Sequence, residues 1–347
     1  MTHLWIRAEE RLNEKRVGVS PQGVKSLLKA GFEVTIEQDP TRAIGIEAYN
    51  NVQIAKTGSW KTAPLEAIII GLKELPDEPK PLHHRHIMFG HAYKGQPEGQ
   101  KLLARFKAGG GTLYDLEYLT DDKGIRVAAF GYWAGYAGAA VAIKSWAAAQ
   151  QGNICEPLHT FTSAQSLINH VIKGLNKPRP RVIIIGAKGR VGSGARDFCN
   201  AIDASVTSWD MDETAHGGPF PEILEHDIFL NCILATEKTP IFIPNAVKTT
   251  KRKLMVIGDI ACDPGSSYSP IKVYDQVTSW QKPVKRVWDK QILDVTAIDN
   301  LPSLLPRESS EDFATQLLPN LMSLNEIETG VWGKAYAVFK EHIKDLK

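Results

Sequence analysis

The sequence predicts an α/β protein with two Rossmann-like parallel-sheet domains, a cleft between them and a long helix that links them. Three observations lead to this fold class. Strand-like and helix-like segments alternate through residues 1–130, a β-branched run at 182–185 leads into a glycine turn and a helix, and a stretch rich in Gly and Ala lies between these regions. Alternating strands and helices build parallel sheets, because each crossover returns the chain to the same edge.

The chain length and composition limit the classes of protein. A chain of 347 residues with 43% apolar residues suits about two globular domains. The net charge of +2 gives no reason to expect nucleic acid or a membrane as partner. The N-terminus has no apolar signal core, and the four cysteines lack metal-ligand spacing, so we expect a cytoplasmic protein with reduced thiols and no metal site. We also expect a monomer.

The first predicted domain, the substrate or catalytic domain, comprises residues 1–130 together with 307–347. Ser20 followed by Pro21 is a good helix start, and the apolar run at 67–72 is typical of a buried parallel strand. Pro319 should end or kink a helix. The predicted elements are strands at 3–8, 32–38, 67–72, 86–90 and 112–117, and helices at 20–31, 44–51, 97–108, 310–318 and 331–347.

The second predicted domain comprises residues 131–306 and begins with the interdomain helix at 131–150. The glycines and alanines of this helix should let it pack closely against its neighbours. A membrane helix is the alternative, but Lys144 and the polar pair Gln150 and Gln151 argue against it. The other predicted elements are a helix at 163–173, strands at 182–185, 205–209, 228–232, 254–259 and 295–298, and a helix from Ser193.

The glycine turn after the strand at 182–185 predicts a dinucleotide site. Gly186, Gly189 and Gly192 follow G-x-x-G-x-x-G spacing, which lets the backbone approach a pyrophosphate at a helix start, with Arg190 near the phosphates. Asp210 ends the next strand, about 20 residues on, where an acid binds a ribose hydroxyl. A carboxylate there repels a 2′-phosphate, so we expect NAD rather than NADP. The alternative is an ordinary turn with glycines for tight packing.

Polar residues follow the predicted strands of the first domain. These are Lys73, Glu74, His91, Lys94 and Glu117. Because ligands of open parallel sheets bind outside the carboxyl ends of the strands, these residues should face the cleft. Lys73 and His91 can exchange protons if the pKa of the lysine is lowered, and Glu74 and Glu117 would tune them. A solvated strand end for Lys73 and Glu74, and a core histidine for His91, are the alternatives.

Two isolated arginines and one strand end complete the candidate set. Arg16 and Arg126 can each clamp a carboxylate bidentately, although surface arginines usually do not. The segment 257–263 ends a strand near the expected nicotinamide position. His83, His84 and His86 lack helical i, i+4 spacing and acidic or cysteine partners in order, which argues against a metal site.

Several longer stretches together carry a family resemblance. The chain resembles saccharopine dehydrogenases of the NAD-dependent, lysine-forming type and, more weakly, alanine dehydrogenases and transhydrogenase nucleotide domains. The resemblance implies two α/β domains and spans nearly the whole chain. The stretches that carry it are GSWKTAP, IIIGLKE, FGHAYK, GTLYDLEYL, RVAAFGYWAGYAGAA, GAKGRVGSGA, WDMDET, GGPF and AIDNLPSLLPRESSEDF.

The resemblance implies a reversible reaction of lysine biosynthesis by the aminoadipate pathway. Saccharopine is oxidised with NAD to an imine, which water converts to lysine and 2-oxoglutarate. Lys73 matches the base that takes the amine proton, and His91 matches the acid–base group of imine hydrolysis. The positions that match substrate contacts are Arg16, Lys94, Arg126 and Phe130.

On the cofactor side, the resemblance implies a longer set of NAD-binding positions. The phosphate turn matches Gly189, Arg190 and Val191, and the ribose ligand matches Asp210. The remaining matched positions are Thr214, Leu234, Ile260, Ala261, Cys262, Asp263, Ile298, Asp299, Asn300 and Leu301.

Three positions depart from the fungal pattern. Val191 replaces a cysteine able to pair with the one matching Cys232, so that disulfide cannot form here. Leu234 replaces a tyrosine. Ile125 replaces an arginine beside Arg126, which leaves open an opine-type reductase that joins another amino acid and keto acid.

Two further alternatives stand beside the opine-type reductase. A non-catalytic NAD-binding sensor would need neither Lys73 nor His91. An alanine dehydrogenase is disfavoured by the LPSLLPRE and GSWKTAP stretches.

Overall fold

The computed structural model describes residues 1–11, 13–344 and 346. Two compact units make up the chain: Met1–Ala129 with Ser309–Lys347, and Phe130–Glu308. Each unit contains one six-stranded sheet. The predicted fold class of two mostly parallel sheets with helices is therefore confirmed, and the roles of the units as substrate and dinucleotide domains remain predictions.

The sheet of the first unit is parallel throughout, in the order β3-β2-β1-β4-β5-β6. The strand order reverses between β1 and β4, so this pair marks the point where open sheets bind ligands. The elements are β1 (His3–Ile6), α1 (Pro21–Lys29), β2 (Glu33–Glu37), β3 (Gln53–Ala55), β4 (Ile68–Ile70), β5 (Arg85–Met88), α2 (Pro97–Gly109) and β6 (Thr112–Asp115).

Local sequence signals explain most of these elements. The Ser20 hydroxyl accepts a hydrogen bond from the Gly23 N–H at 3.1 Å, which caps α1 as the Ser–Pro start predicts. The strand β4 is fully buried, in agreement with its continuous apolar run. The predicted helix at 44–51 is wrong, because only a 3₁₀ turn forms, at Ile46–Ala48. That segment is too short and too poor in buried residues to stabilise a longer helix.

The sheet of the second unit has the order β11-β12-β10-β9-β7-β8, and only β11 runs antiparallel to its neighbour. The order reverses between β7 and β9. The elements are α3 (Gly131–Ala149), α4 (Ala164–Lys173), β7 (Arg181–Ile185), α5 (Arg190–Ala201), β8 (Ser205–Trp209), α6 (Met211–Thr214), α7 (Pro221–Leu224), β9 (Ile228–Asn231), β10 (Val256–Asp259), β11 (Lys285–Trp288) and β12 (Leu293–Thr296).

The long helix α3 packs against α5 through glycines, as its composition predicts. A Cβ atom on Gly135 would lie 1.8 Å from the Val191 carbonyl oxygen, and one on Gly194 would lie 1.9 Å from the Tyr132 carbonyl oxygen. Any larger residue at either position would force the two helices apart. Within the described residues, no helix is long and apolar enough to cross a membrane.

The last two helices are α8 (Pro306–Leu321) and α9 (Gly330–Lys344). The predicted start of α8 at Ser310 is wrong, because Pro306 supplies a good first helical residue. Pro319 lies inside α8, close to its end. A similar correction applies to α5, which begins at Arg190 rather than Ser193. The predicted tail helix at 331–347 includes Asp345 and Lys347, which lie outside the described residues.

A histidine without a hydrogen-bond partner lies inside the first unit. His86 on β5 is 1% exposed, and its ring packs edge-on against Trp60 and Phe106 with centroids 5.1 and 5.4 Å away. Neither ring nitrogen has a hydrogen-bond partner among the described residues. Burial, followed by the charge of Arg7, lowers the pKa of His86 well below its ordinary value. The folded protein therefore holds this ring neutral.

We expect His86→Phe to flatten the pH dependence of stability. Below pH 6.5 the unfolded chain binds a proton at His86 that the folded chain does not, so native stability falls as the pH drops. Between pH 7.5 and 5.5 the native protein should lose about 1 kcal/mol more unfolding free energy than the variant. Urea unfolding at both pH values measures this difference. The exposed His83→Phe variant is the control, and equal pH slopes for native and His86→Phe would contradict the account.

Candidate active site

Three strands that lie side by side in the first sheet are each followed by a predicted site residue. Lys73 follows β4, His91 follows β5 and Glu117 follows β6. Because the strands are parallel, these residues lie at the same edge of the sheet. The order of the sheet thus groups residues that are far apart in sequence.

The backbone of Lys73 is held on both sides. Its N–H donates to Glu9 Oε2 at 3.0 Å, and its carbonyl oxygen accepts a hydrogen bond from Arg7 Nη2. The preceding N–H, of Leu72, donates to Glu9 Oε1 at 2.6 Å. Lys73 itself is half-buried. The sequence interpretation missed Arg7 and Glu9, whose signal was a buried strand followed at once by charged residues.

Arg16 is buried and paired. Its Nε and Nη2 donate to the two oxygens of Glu14 at 2.8 and 2.7 Å, a bidentate ion pair. Burial opposes ionisation of Glu14, but the hydrogen bonds and charge of Arg16, together with the charge of Lys73, leave its pKa lowered. Arg16 and Lys73 therefore belong to one charged cluster around Glu14.

His91, Lys94 and Glu117 form a second cluster. Lys94 Nζ donates to Glu117 Oε1 at 3.0 Å, and His91 Nδ1 lies 3.8 Å from Glu117 Oε2. Interaction with His91, and then the hydrogen bond from Lys94, lowers the pKa of Glu117 to about 2. At 3.8 Å the histidine contact is one of charge rather than a hydrogen bond, so Lys94 makes the stronger direct contact. Glu117 thus contacts both His91 and Lys94.

A buried acid lies beneath this cluster. Asp115 is fully buried at the end of β6, and its carboxylate accepts the N–H groups of Gly90 at 3.2 Å and Glu117 at 2.9 Å. Burial raises the pKa of Asp115 to about 6, although these N–H groups oppose the rise. His91 adopts a left-handed φ of 48° next to Gly90. Asp115 therefore braces both loops that carry the cluster, and the sequence interpretation missed it.

The other predicted residues of the first unit, Glu74 and Arg126, lie outside the two charged clusters described above. Glu74 Oε1 is 3.6 Å from Arg11 Nη1, so its observed charge partner is an arginine. Arg126 is exposed and forms a β-bridge with Thr120. Glu117 raises the pKa of Lys94, and the positive charge of Arg126 opposes that rise. Glu74 and His91 also line a cavity of about 450 Å³ beside the first turns of α2.

Phe130 immediately precedes α3 and is the first residue of the second unit.

The glycine turn of the second unit fits a pyrophosphate. Gly186 has φ 88°, which L-residues avoid, and a Cβ atom on Gly192 would lie 2.1 Å from the Gly186 carbonyl oxygen. Gly189 is the N-cap of α5, and Arg190 and Val191 form its first turn. The turn therefore presents N–H groups at a helix start, where an anion binds.

Asp210 stands at the end of β8, as predicted. Its carboxylate accepts the N–H groups of Lys188 at 2.9 Å and Met211 at 3.0 Å, which ties it to the glycine turn. Thr214 donates from its hydroxyl to the Asp210 carbonyl oxygen at 2.9 Å. The carboxylate also accepts the Glu213 N–H in a capping box, so one of its four lone-pair sites remains for a ribose hydroxyl. The donor set thus fits the adenosine ribose of NAD.

We expect Asp210→Ser to weaken NAD binding by about 10- to 100-fold, because a hydrogen bond to a charged group contributes about 1.5–3 kcal/mol. Serine still caps the following turn. The preference for NAD over NADP should shrink, since the repelling charge is gone. Titrations of both nucleotides, followed by protein fluorescence, measure the two dissociation constants. The exposed Asp212→Ser is the matched control, and unchanged affinities in Asp210→Ser would contradict the assignment.

The remaining cofactor positions follow β9, β10 and β12. The side chains of Ile260, Ile298 and Leu301 lie in the hydrophobic core of the second unit, so a ligand could meet only their backbone. Leu234 is 86% exposed. The other positions are exposed or half-buried: Ala261, Cys262, Asp263, Asp299 and Asn300. Cys262 and Asn300 have left-handed φ angles.

A buried network that the sequence interpretation missed supports the loop after β10. Asp259 accepts hydrogen bonds from Asn231 Nδ2 at 2.9 Å and from the Tyr274 hydroxyl at 2.5 Å. It also accepts the N–H of Cys262 at 3.3 Å.

Among the described residues, no group of three or more His, Cys, Asp or Glu side chains is arranged to hold a metal ion.

Known proteins share both the fold and the sequence. Residues 5–137 match the alanine dehydrogenase/PNT N-terminal domain family. An L-alanine dehydrogenase structure superposes with a TM-score of 0.72 at 18% identity, covering 100% of both chains, which is a likeness of fold alone.

The closer sequence likeness is to fungal enzymes. A saccharopine dehydrogenase [NAD(+), L-lysine-forming] of Schizosaccharomyces pombe is 41% identical, covering 99% of this chain and 99% of that protein. The Yarrowia lipolytica protein of the same name is 42% identical, covering 98% of this chain and 97% of that protein. The resemblance inferred from the motifs is confirmed, and the chain belongs to the family of NAD-dependent, L-lysine-forming saccharopine dehydrogenases.

Proposed function

We propose that this protein catalyses the reversible NAD-dependent oxidation of L-saccharopine to L-lysine and 2-oxoglutarate, the lysine-forming step of the aminoadipate pathway. The near-full-length match to relatives named for this reaction carries the proposal. The placement of Lys73 and His91 after adjacent parallel strands supports it. We further propose a cytoplasmic monomer whose partners are small molecules: saccharopine, lysine and 2-oxoglutarate.

The reaction needs two proton-transfer groups. Lys73 takes the proton of the secondary amine. The glutamyl α-carbon loses a hydride, for which NAD would be the acceptor when bound to the second unit. The substrate is then an imine, and a water molecule adds to its carbon. His91 takes a proton from that water and returns it to the nitrogen, which gives a carbinolamine. The C–N bond then breaks as the carbinolamine hydroxyl loses its proton to the departing amine, which releases lysine and 2-oxoglutarate. Glu117, whose Oε2 lies 3.8 Å from His91 Nδ1, is the acidic neighbour of this group.

The three carboxylates of saccharopine require cations. Arg16, Lys94 and Arg126 are the cationic groups proposed to bind them, and Phe130 adds an apolar contact. Arg16 and Lys94 already pair with Glu14 and Glu117 in the structure. We infer that each shares its donors between the acidic residue and the substrate, which fixes the cation in place before binding.

The second unit is proposed to hold NAD. The phosphates lie at the turn formed by Gly186, Gly189, Arg190, Val191 and Gly192, and Asp210 binds the adenosine ribose. Thr214 and Leu234 complete the adenosine side. The nicotinamide side is proposed to consist of the backbone at 260–263 and 298–301.

The test is an absorbance assay of reduced nicotinamide in both directions. We expect turnover with saccharopine and NAD, and with lysine, 2-oxoglutarate and NADH. Ornithine and pyruvate should substitute poorly. Tight NADH binding without turnover of saccharopine would contradict the proposal and favour the sensor.

Ile125, 52% exposed beside Arg126, is the observation that favours an opine-type alternative. Turnover of a different amine and keto acid in the same assay, with saccharopine inert, would support that reading.

A further inference from the structure

Two charged residues at the end of β1 are buried where the strand order of the first sheet reverses. The side chains of Arg7 and Glu9 are 0% and 5% exposed, and Arg7 Nη1 lies 3.5 Å from Glu9 Oε2. Burying an ion pair costs desolvation that its own attraction barely offsets, so the pair is poor at stabilising a fold by itself. The hydrogen bonds that Arg7 and Glu9 make to other groups must therefore explain why the pair is buried here.

Those hydrogen bonds converge on three consecutive peptide units around Leu72 and Lys73. The two oxygens of Glu9 accept the N–H groups of Leu72 and Lys73, at 2.6 and 3.0 Å. Arg7 Nη2 donates to the carbonyl oxygen of Lys73. A Cβ atom on Gly71 would lie 2.4 Å from Arg7 Nε, so the glycine lets the guanidinium cross the chain there. Both backbone polar groups of Lys73 are thus held by one buried pair.

Residues 71–73 follow the end of β4. The Gly71 N–H donates to the Ile87 carbonyl oxygen at 3.0 Å and the Leu72 carbonyl oxygen accepts the Phe89 N–H at 2.9 Å, so pairing with the β5 chain continues to Leu72, and Arg7 and Glu9 hold the backbone of Lys73 beyond it. A proton-transfer group must be held within about 0.5 Å of its productive position. We propose that Arg7 and Glu9 are positioning residues for Lys73, which clamp its backbone so that the ammonium group meets the substrate amine. The inference rests on the proposed function, because it takes Lys73 as the base.

The decisive variant is Glu9→Gln. Glutamine keeps the shape and one acceptor oxygen, but its amide group faces the second backbone N–H. We expect kcat to fall about 10- to 100-fold, the usual result of a misplacement near 1 Å, while the KM for NAD changes less than about twofold. Loss of a nearby negative charge favours neutral Lys73, so the acid limb of the pH profile of kcat/KM should shift to lower pH.

A matched control separates positioning from stability. Asp39 is another buried acid of the first unit, and it accepts the Thr41 N–H at 2.9 Å and pairs with Arg42. Asp39→Asn should lower the unfolding free energy without changing kcat or the pH profile. Amide exchange should accelerate at Leu72 and Lys73 in Glu9→Gln alone.

The outcomes are distinct. Unchanged kcat and pH profile in Glu9→Gln, or an equal loss of kcat in Asp39→Asn, would overturn the positioning role. If Glu9→Gln does not fold, Arg7→Lys, which keeps the charge but not the guanidinium fork, is judged by the same criteria. If the native protein itself does not turn over saccharopine, the proposed function fails and the inference fails with it.

Discussion

Replacing Lys73 with methionine is expected to lower kcat for saccharopine oxidation by about 10²- to 10⁴-fold, the usual contribution of a general base. Methionine has similar length and reach but cannot accept a proton. Because the backbone of Lys73 is held by Arg7 and Glu9, the substitution should leave the loop in place. NADH affinity should stay within about twofold, because the proposed cofactor site belongs to the second unit.

Stopped-flow measurement of the first turnover tests this expectation, since it isolates the proton and hydride transfers from product release. Lys61→Met is the matched control, because Lys61 is a lysine of the same unit that pairs with Glu78 at 2.9 Å. A first-turnover rate in Lys73→Met within about threefold of native would show that another group is the base. Loss of NADH binding in the variant would instead indicate a damaged fold.

The second large effect concerns stability, and it centres on Glu37 at the end of β2. Glu37 is fully buried, and its carboxylate accepts hydrogen bonds from Trp5 Nε1 at 3.1 Å, and from the N–H groups of Ala8 at 3.0 Å, Gly58 at 2.9 Å and Trp60 at 2.5 Å. Two of these donors belong to the GSWKTAP stretch. That stretch therefore has a structural role, because its backbone binds a single buried carboxylate.

We expect Glu37→Ala to lower the unfolding free energy by about 3–5 kcal/mol, because each buried donor left without an acceptor costs about 1–3 kcal/mol and water will reach some of them. Urea unfolding followed by tryptophan fluorescence measures the loss. Glu33→Ala on the same strand is the control, because the Glu33 side chain is exposed and its contact with His3 is long, at 3.9 Å. A loss below about 1 kcal/mol in Glu37→Ala would contradict the account.

The interior of both sheets could be predicted from local sequence. Continuous apolar runs such as Ile68–Ile70 leave few alternatives to a buried parallel strand. The missed strands are β3 and β11, two of the four edge strands, and neither contains a fully buried residue. Both strands are only three or four residues long and lack a continuous apolar run, so the hydrophobic pattern gives little signal for them.

The candidate site also contains residues that local sequence predicts and residues that it does not. Lys73, His91 and Glu117 follow recognisable strands, and the rule for parallel sheets is enough to single them out. Glu9 was missed because its partners are backbone N–H groups far away in the chain, and the same holds for the Gly90 partner of Asp115. Such contacts depend on sheet order, which short-range sequence patterns do not contain. The start of α8 at Pro306 was missed for a smaller reason, because a proline reads equally well as a turn.

The measurement that tests the central claim most directly uses saccharopine carrying deuterium at the glutamyl α-carbon, with NAD and the native protein. Mass spectrometry then follows the label. The account predicts deuterium in the reduced nicotinamide, unlabelled lysine and 2-oxoglutarate, and a slower first turnover than with unlabelled substrate. Lysine that carries the label, or reduced nicotinamide that lacks it, would place the oxidation at a different carbon and contradict the proposed reaction.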